Sequence, residues 1–173
     1  MANENILLIN RDDCMRLTSM NGNIDTTKLL PQIRTAQDVH LQPIIGTALY
    51  DELKQMVKDL NDSGTPIPAD YSLLLSVYIT PTLAYYTMWD FLPFLSYELR
   101  NGGIYKHGSE NSEPASDEAM NMLVQRFKDK AEFYAGRLTS YLCNNSSLYP
   151  EFNQATNSEL AARGNDSFHG IQL

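Results

Sequence analysis

The sequence predicts a mainly α-helical fold: a compact helical bundle around a long central helix, with an extended C-terminal arm. Three observations lead to this prediction. Apolar residues recur at helical spacing in two long segments, the segment 71–99 is the most apolar of the chain, and the residues after 143 are mostly polar. A chain of 173 residues can bury one core, so we expect a helical domain at 1–143 and a polar arm at 144–173.

The N-terminal residues combine a short apolar run with good helix-capping residues. The run at 6–9 fits a strand as well as a helix. Asn10 or Asp12 could cap a short helix that contains Cys14 and Leu17. The N-terminus has neither a basic region nor a long apolar stretch, so we expect no signal peptide.

The next helix is predicted from Asp25, a good N-cap residue. Pro31 lies beyond the first turn of that helix. Because proline lacks an N–H group, the helix is either kinked at Pro31 or begins near Leu30.

A second break is predicted around Pro43 and Gly46. Pro43 breaks or restarts the helical path, and Gly46 is a natural residue to end a helix. Thr47 can then cap the following helix, whose apolar stripe steps by three or four residues. The stripe comprises Leu49, Leu53, Met56 and Leu60.

The segment 71–99 is long and apolar enough that a membrane span has to be considered. Pro81 and Pro93 interrupt it, Asp90 lies within it, and no basic flank sets an orientation. A long kinked helix is the better interpretation, with further faces that meet neighbouring subunits. We therefore expect no membrane contact.

A glycine-rich stretch follows at 100–108 and is compatible with a small β-hairpin that turns at 101–102 or 102–103. Arg100, Lys106 and His107 form a basic island in it, next to Tyr105. The island is either a solvated hairpin or a contact to a partner ring or to DNA phosphates. These four residues are candidate partner contacts.

The last helix is predicted to begin at Ser112–Pro114, since proline and acidic residues favour a first turn. Lys128 and Glu132 have the spacing of a favourable pair on its polar face. Its apolar stripe comprises Met120, Leu123, Phe127, Ala131, Tyr134, Leu138 and Tyr141.

Beyond residue 143 only isolated apolar residues occur, and such a segment cannot build its own core. Three aromatic residues in it, Tyr149, Phe152 and Phe168, are further candidate partner contacts.

No motif for catalysis or for a cofactor is visible. His40, His107 and His169 lack the spacing of metal ligands, and nothing near them resembles an activated nucleophile. The two cysteines, Cys14 and Cys143, read as buried small apolar residues in a reducing compartment. Tyr85, Tyr86 and Trp89 are at helical spacing and are more typical of a core than of a ligand site. We predict that the protein is not an enzyme and needs no cofactor or metal.

The formal charge of −8 argues against a protein that grips nucleic acid over its whole surface. It is compatible with a wall along which DNA slides.

Three short runs within 21–60 carry a resemblance to a known family. They are Asn21-Gly22-Asn23-Ile24-Asp25, then Ala36-Gln37-Asp38 with His40, then Ile44-Ile45-Gly46-Thr47-Ala48-Leu49-Tyr50. The pattern resembles the head–tail connector (adaptor) proteins of tailed bacteriophages, closest to the ring proteins of crAss-like and other Bacteroidetes phages.

The resemblance implies a structural virion protein without catalytic residues. Such proteins form a ring, typically of twelve copies, below the portal protein. They join the next tail component and extend the channel through which DNA passes without specific binding. The implied location is the portal–tail region of the virion, and the host cytoplasm during assembly. The alternative is a monomeric or dimeric helical adaptor or regulatory module that binds another protein.

Overall fold

The computed structural model describes residues 6–18, 25–100, 103–106 and 116–153. The fold is mainly helical, as the sequence predicts. The α-helices are α1 (Arg11–Thr18), α2 (Thr26–Ala36), α3 (Gln42–Ile45), α4 (Thr47–Ser63), α5 (Ala69–Leu73), α6 (Thr80–Ser96) and α7 (Asp117–Asn144). Two π-helical turns, Gln37–Leu41 and Leu74–Ile79, join α2 to α3 and α5 to α6.

Helix α1 is capped by a reciprocal pair of side chains. The Asp13 amide donates to Asn10 Oδ1 at 2.9 Å, and the Asn10 amide donates to Asp13 Oδ2 at 3.2 Å. Asn10 is therefore the N-cap, one of the two predicted choices. The preceding run at 6–9 forms neither the strand nor the helix between which its sequence left the choice open.

Helix α2 begins directly after its N-cap residue, Asp25. Asp25 Oδ1 accepts from the Thr27 amide at 2.9 Å, which confirms the predicted N-cap. The helix then runs from Thr26 through Pro31 to Ala36, so the alternative start near Leu30 is wrong. The cap satisfies amides of the first turn, and one missing donor at Pro31 is not enough to move the helix start.

Both π-helical turns end two residues before a proline. The Gln42 amide donates to the Gln37 carbonyl before Pro43, and the Thr80 amide donates to the Leu75 carbonyl before Pro81. In a regular α-helix the proline ring would clash with the carbonyl group four residues back. That carbonyl would also have no hydrogen-bond donor, because proline lacks an N–H group. The wider turn relieves that clash, so the chain passes each proline without a break. Pro43 lies in the first turn of α3, so of the two predicted alternatives the break is wrong and the restart fits the structure.

Gly46 separates α3 from α4 at φ 80° and ψ 155°, a conformation that favours glycine. This confirms the predicted helix end. Thr47 is the first helical residue rather than the cap, and its hydroxyl accepts from Gln42 Nε2 at 3.1 Å. Along α4 the side chains of Leu49 and Leu53 are fully buried. Leu60 is 43% exposed, so the predicted stripe leaves the core at its end.

Helix α6 packs against α1, α2 and α7. Many of its residues, including Leu83, Ala84 and Met88, are inaccessible to solvent. Across the described ranges, every helix is too short or too polar to cross a lipid bilayer.

Two short strands follow α6. Strand β1 (Tyr97–Arg100) pairs antiparallel with β2 (Gly103–Lys106), and Arg100 lies opposite Gly103. Residues 101 and 102, on which the predicted turn depends, lie outside the described residues.

Helix α7 begins after Ser116, whose Oγ accepts from the Ala119 amide at 3.2 Å. This capping side chain fixes Asp117 as the first residue of α7. The start predicted at Ser112–Pro114 lies outside the described residues. The predicted stripe is buried at Phe127, Ala131 and Leu138, whereas Leu123 is 40% exposed.

The chain after α7 packs onto the domain instead of leaving it. Two 3₁₀ turns, Ser146–Leu148 and Pro150–Asn153, follow α7. Tyr149 is fully buried between them, and its hydroxyl donates to the Asp70 carbonyl at 3.0 Å. Phe152 is also buried. The packed chain thus runs past the boundary expected at residue 143, because a large aromatic ring buries apolar area even in a polar segment.

Two truncations test this extension of the core. Ending the chain after Asn144 is expected to lower the free energy of unfolding by about 3 kcal/mol or more, since both buried rings are lost. Ending it after Asn153 keeps both rings, so we expect a change within about 0.5 kcal/mol. Urea unfolding followed by the fluorescence of Trp89, the single tryptophan, compares the two. Equal stabilities would contradict the packing of Tyr149 and Phe152.

Candidate interaction surface

The side chain of Gln37 connects the N-terminal segment to the helices. It is 1% exposed and lies in the first π-helical turn. Its Nε2 donates to the Ile6 carbonyl at 3.2 Å, and its Oε1 accepts from the Leu8 amide at 2.6 Å. A residue of a parallel β-strand opposite Leu7 would make the same two bonds with its backbone. Gln37 therefore takes the place of a neighbouring strand.

The same amide reaches a buried tyrosine of α4. Gln37 Nε2 donates to the Tyr50 hydroxyl at 3.4 Å, and that hydroxyl donates to Asp38 Oδ1 at 2.6 Å. Three residues of the family-like runs thus hydrogen-bond to one another. Their arrangement satisfies buried polar groups, which is a structural role.

His40 also lies in this π-helical turn and pairs with Asp90 of α6. Its Nε2 lies 3.0 Å from Asp90 Oδ2, and its ring stacks on Tyr86 at 4.3 Å between centroids. Trp89 lies 5.2 Å from the same ring. The aromatic cluster predicted at 85–89 is therefore packed, as expected, but sequence reasoning missed that Asp90 is the partner of His40.

Across the described residues, histidine, cysteine, aspartate and glutamate do not gather in groups of three that could hold a metal ion. Cys14 is buried, and burial raises the pKa of its thiol to about 12. Cys143 is exposed, so the expectation that both thiols are buried is wrong for it. Cys143 lies one position past buried Leu142, on the outward face of the amphipathic helix α7.

An aromatic seam joins the helical stretch 69–96 to α7. Tyr78 stacks on Tyr141 with centroids 4.0 Å apart, and Tyr85 stacks on Tyr134 at 5.2 Å. Both rows advance by seven residues, so the two pairs share one antiparallel register. The members of the seam are Tyr71, Tyr78, Tyr85, Phe127, Tyr134, Tyr141 and Tyr149. The sequence shows the spacing, but it does not show which row meets which.

Two cations of α7 cover the edge of this seam. Arg137 lies 5.7 Å from the ring centroids of both Tyr78 and Tyr134, and Lys130 Nζ lies 5.4 Å from Tyr85. Such cation–π contacts hold a charged group in place while it stays exposed. They position positive charge on the outer side of α7.

Large apolar residues remain exposed on the same helix. Phe133 is 62% exposed and Met122 is 60% exposed. Exposed apolar residues next to ordered cations are typical of protein-binding surfaces. The outer side of α7 is therefore the candidate interaction surface.

The residues predicted as partner contacts are not brought together. The strand register places Arg100 and Lys106 at opposite ends of the β1–β2 pair, about 10 Å apart along the strands. Tyr105 lies in β2, opposite Glu98. His107 and Phe168 lie outside the described residues.

Two of the predicted contacts are corrected by the structure. Tyr149 and Phe152 are buried within the domain's own core, so in this structure they offer no surface to a partner. The sequence signal that could have found the alternative surface is the repeat of basic residues at 126, 130 and 137, which share one face of α7.

A family model matches residues 41–161, which is more than half of the chain. The chain belongs to DUF6712, a family of unknown function. No curated protein and no solved structure matches it. In this DUF6712 chain the match begins after Gln37 and His40 and includes the run 44–50, the aromatic seam and the buried Tyr149. The packed end of the domain therefore lies within the family's own boundaries.

Replacing Gln37 with leucine is expected to lower the free energy of unfolding of this DUF6712 protein by about 2 kcal/mol. The change leaves the Ile6 carbonyl and the Leu8 amide without partners. Hydrogen exchange at the Leu8 amide should accelerate at the same time. The matched control is Gln125→Leu, at an exposed residue that bonds only Asp129 on its own helix. Unchanged exchange at Leu8 would contradict the role of Gln37.

The buried tyrosines Tyr50 and Tyr149 are expected to make the fold sensitive to alkaline pH. Burial raises the pKa of both, with further contributions from hydrogen bonds to Asp38 and to Tyr141 respectively. Unfolded tyrosine ionises near pH 10. Above that pH the unfolded chain has lost protons that the folded chain keeps, so stability falls as pH rises.

We therefore expect full stability below about pH 9 and a decline above about pH 10. Urea unfolding at about pH 8 and about pH 10.5 measures this, and Tyr149→Phe should reduce the difference between them. A stability that is constant across this interval, or one that rises, would refute the assignment.

Proposed function

We propose that the protein is a structural virion component that forms a ring below the portal, joins capsid to tail and extends the DNA channel. The observation that carries the proposal is the arrangement of the family-like runs. Gln37, Asp38 and Tyr50 bond to one another and His40 packs on α6, so these runs build one structural unit rather than a reactive site. A scaffold role fits residues of that kind.

We further propose that the helical stretch 69–96 acts as the central helix of a compact bundle. Its contacts with α1, α2 and α7 support this. Residues 154–173 act as an arm that reaches an adjacent ring. The negative net charge would keep passing DNA from adhering to the channel wall, since each phosphate contact adds affinity.

The second candidate is a helical adaptor that binds another protein as a monomer or dimer. The exposed Phe133 and Met122 are compatible with it, because an apolar surface of that kind can bind a different protein as well as a second copy. The two candidates differ in whether the protein is part of a finished particle.

The decisive measurement is quantitative mass spectrometry of particles purified from an infected culture of the phage that encodes the chain. We expect the protein in a fixed copy number relative to the portal protein, in a stoichiometry that fits a closed ring. The truncation after Asn153 should fold and yet enter particles less efficiently than the full chain.

Two outcomes would overturn the proposal. A protein that is abundant in infected cells and absent from purified particles is not a connector. The adaptor then becomes the better hypothesis. Full incorporation of the truncated chain would refute the role of the arm alone.

A further inference from the structure

A basic and apolar stripe runs along the outer side of α7. We call it the α7 stripe; it comprises Met122, Arg126, Lys130, Phe133 and Arg137. Successive members are three or four residues apart, which places them on one face of the helix. All five are exposed. The three cations span about 16 Å along the helix axis.

Two cations of the α7 stripe contact aromatic rings, but none of the three pairs with a carboxylate in the described part of the chain. Arg126, Lys130 and Arg137 form none of the ion pairs found among those residues. A groove beside the stripe is lined by residues that include Tyr78, Glu132, Phe133, Gly136, Arg137 and Ser140.

Packing within the described part of the domain does not require glycine at position 136. A Cβ atom added there would meet nothing within 4 Å. Glycine is unfavourable inside a helix, so a packing demand from outside the described chain would explain it. The groove that Gly136 leaves open is the place for such a contact.

An acidic patch with exposed apolar neighbours lies elsewhere on the same domain. The Tyr71 hydroxyl donates to Glu151 Oε2 at 2.7 Å, and Asp70 is the residue before Tyr71. Helix α4, which carries Glu52, packs against the Pro150–Asn153 turn that carries Glu151. These three carboxylates therefore lie near one ring, and their charges add to burial in raising its pKa. Leu73 follows Asp70 by one helical turn and is 45% exposed. We call Glu52, Asp70 and Glu151 with Leu73 the acidic patch.

We propose that the α7 stripe of one copy docks on the acidic patch of a second copy. The stripe offers positive charge and apolar side chains, and the patch offers negative charge and an apolar side chain. Because the two surfaces differ, the contact is heterologous, and a heterologous contact can close into a ring. This inference rests on the proposed ring function and names the two faces that would form it.

A nucleic acid is the weaker candidate for the α7 stripe. Phe133 and Met122 expose large apolar side chains that a phosphate backbone does not cover, whereas Leu73 on a second copy does. The whole chain also carries a formal charge of −8, which opposes approach to a polyanion outside the stripe.

Two charge-reversal variants test the contact. The stripe variant carries Lys130→Glu and Arg137→Glu, and the patch variant carries Glu52→Lys and Asp70→Lys. Sedimentation velocity over a range of protein concentrations, at low salt, compares each with the wild type. We expect either variant to weaken self-association at least about tenfold, because like charges then face each other. Single charge reversals on other helices serve as controls: Lys28→Glu at an exposed residue of α2 and Asp12→Lys at one of α1 should leave it unchanged.

An equal mixture of the two variants gives the sharper result. The intact patch of the stripe variant can bind the intact stripe of the patch variant, and the two reversed faces also carry opposite charges. Mixing is therefore expected to restore self-association above that of either variant alone. Gly136→Leu provides an independent check. It fills the groove and favours the helix, so the variant should melt at a higher temperature and associate more weakly than the wild type.

Three results would overturn the inference. They are a wild type that stays monomeric up to about 1 mM, self-association that neither reversal changes, and a mixture that remains monomeric. Binding of the wild type to a short duplex DNA that the stripe variant abolishes, without self-association, would assign the stripe to nucleic acid instead. The presence of the protein in particles is measured separately, so the interface can fail while the connector function stands.

Discussion

The antiparallel contact between the helical stretch 69–96 and α7 is the interaction on which the rest of the structure depends. Tyr78 meets Tyr141 and Tyr85 meets Tyr134, and stacked rings of this kind add stability beyond the area they bury. A spacing of seven residues drifts little around a helix, so both rows stay on the facing sides. The same register brings Tyr71 to the end of α7, where Tyr149 meets it edge-on at 5.3 Å. The chain after α7 is therefore held by the contact that orders α7 itself.

The prolines would disrupt such a contact if they broke the helix that carries it. Pro81 lies between Tyr78 and Tyr85, inside the row. The π-helical turn before it lets the backbone continue, and the Thr80 hydroxyl bonds the Leu75 carbonyl at 2.7 Å, beside the altered turn. The equivalent turn before Pro43 has a second consequence, because it positions Gln37 and His40 on the sides that reach the N-terminal segment and α6. Both π-helical turns thus accommodate a proline and at the same time keep side chains in contact with other parts of the domain.

Local signals predicted local structure well. Asn10, Asp25 and Gly46 act as helix ends because capping depends on neighbours within a few residues. The sequence was less informative where contacts between distant residues determine whether a side chain is buried. Tyr149 lies between Leu148 and Pro150 in a mostly polar segment, and its contacts with Tyr71, Asp70 and Tyr141 make it part of the core. Apolar periodicity identifies the buried face of α7, but it gives no signal for the α7 stripe on the opposite, polar face.

The aromatic seam also determines what α7 can present to a partner. Arg137 lies over Tyr78 and Tyr134, two rings that the seam already fixes. Its side chain therefore has few accessible conformations and loses little conformational entropy on binding. Ordering a long side chain on association is costly, and a side chain that is ordered beforehand avoids much of that cost. Phe133, the most exposed of the large apolar residues described, lies one turn away, and its ring meets the Tyr134 ring of the seam edge-on at 5.4 Å. An ordered charge beside an exposed ring is the pairing from which binding hot spots are commonly built, and here the internal packing of the domain creates it.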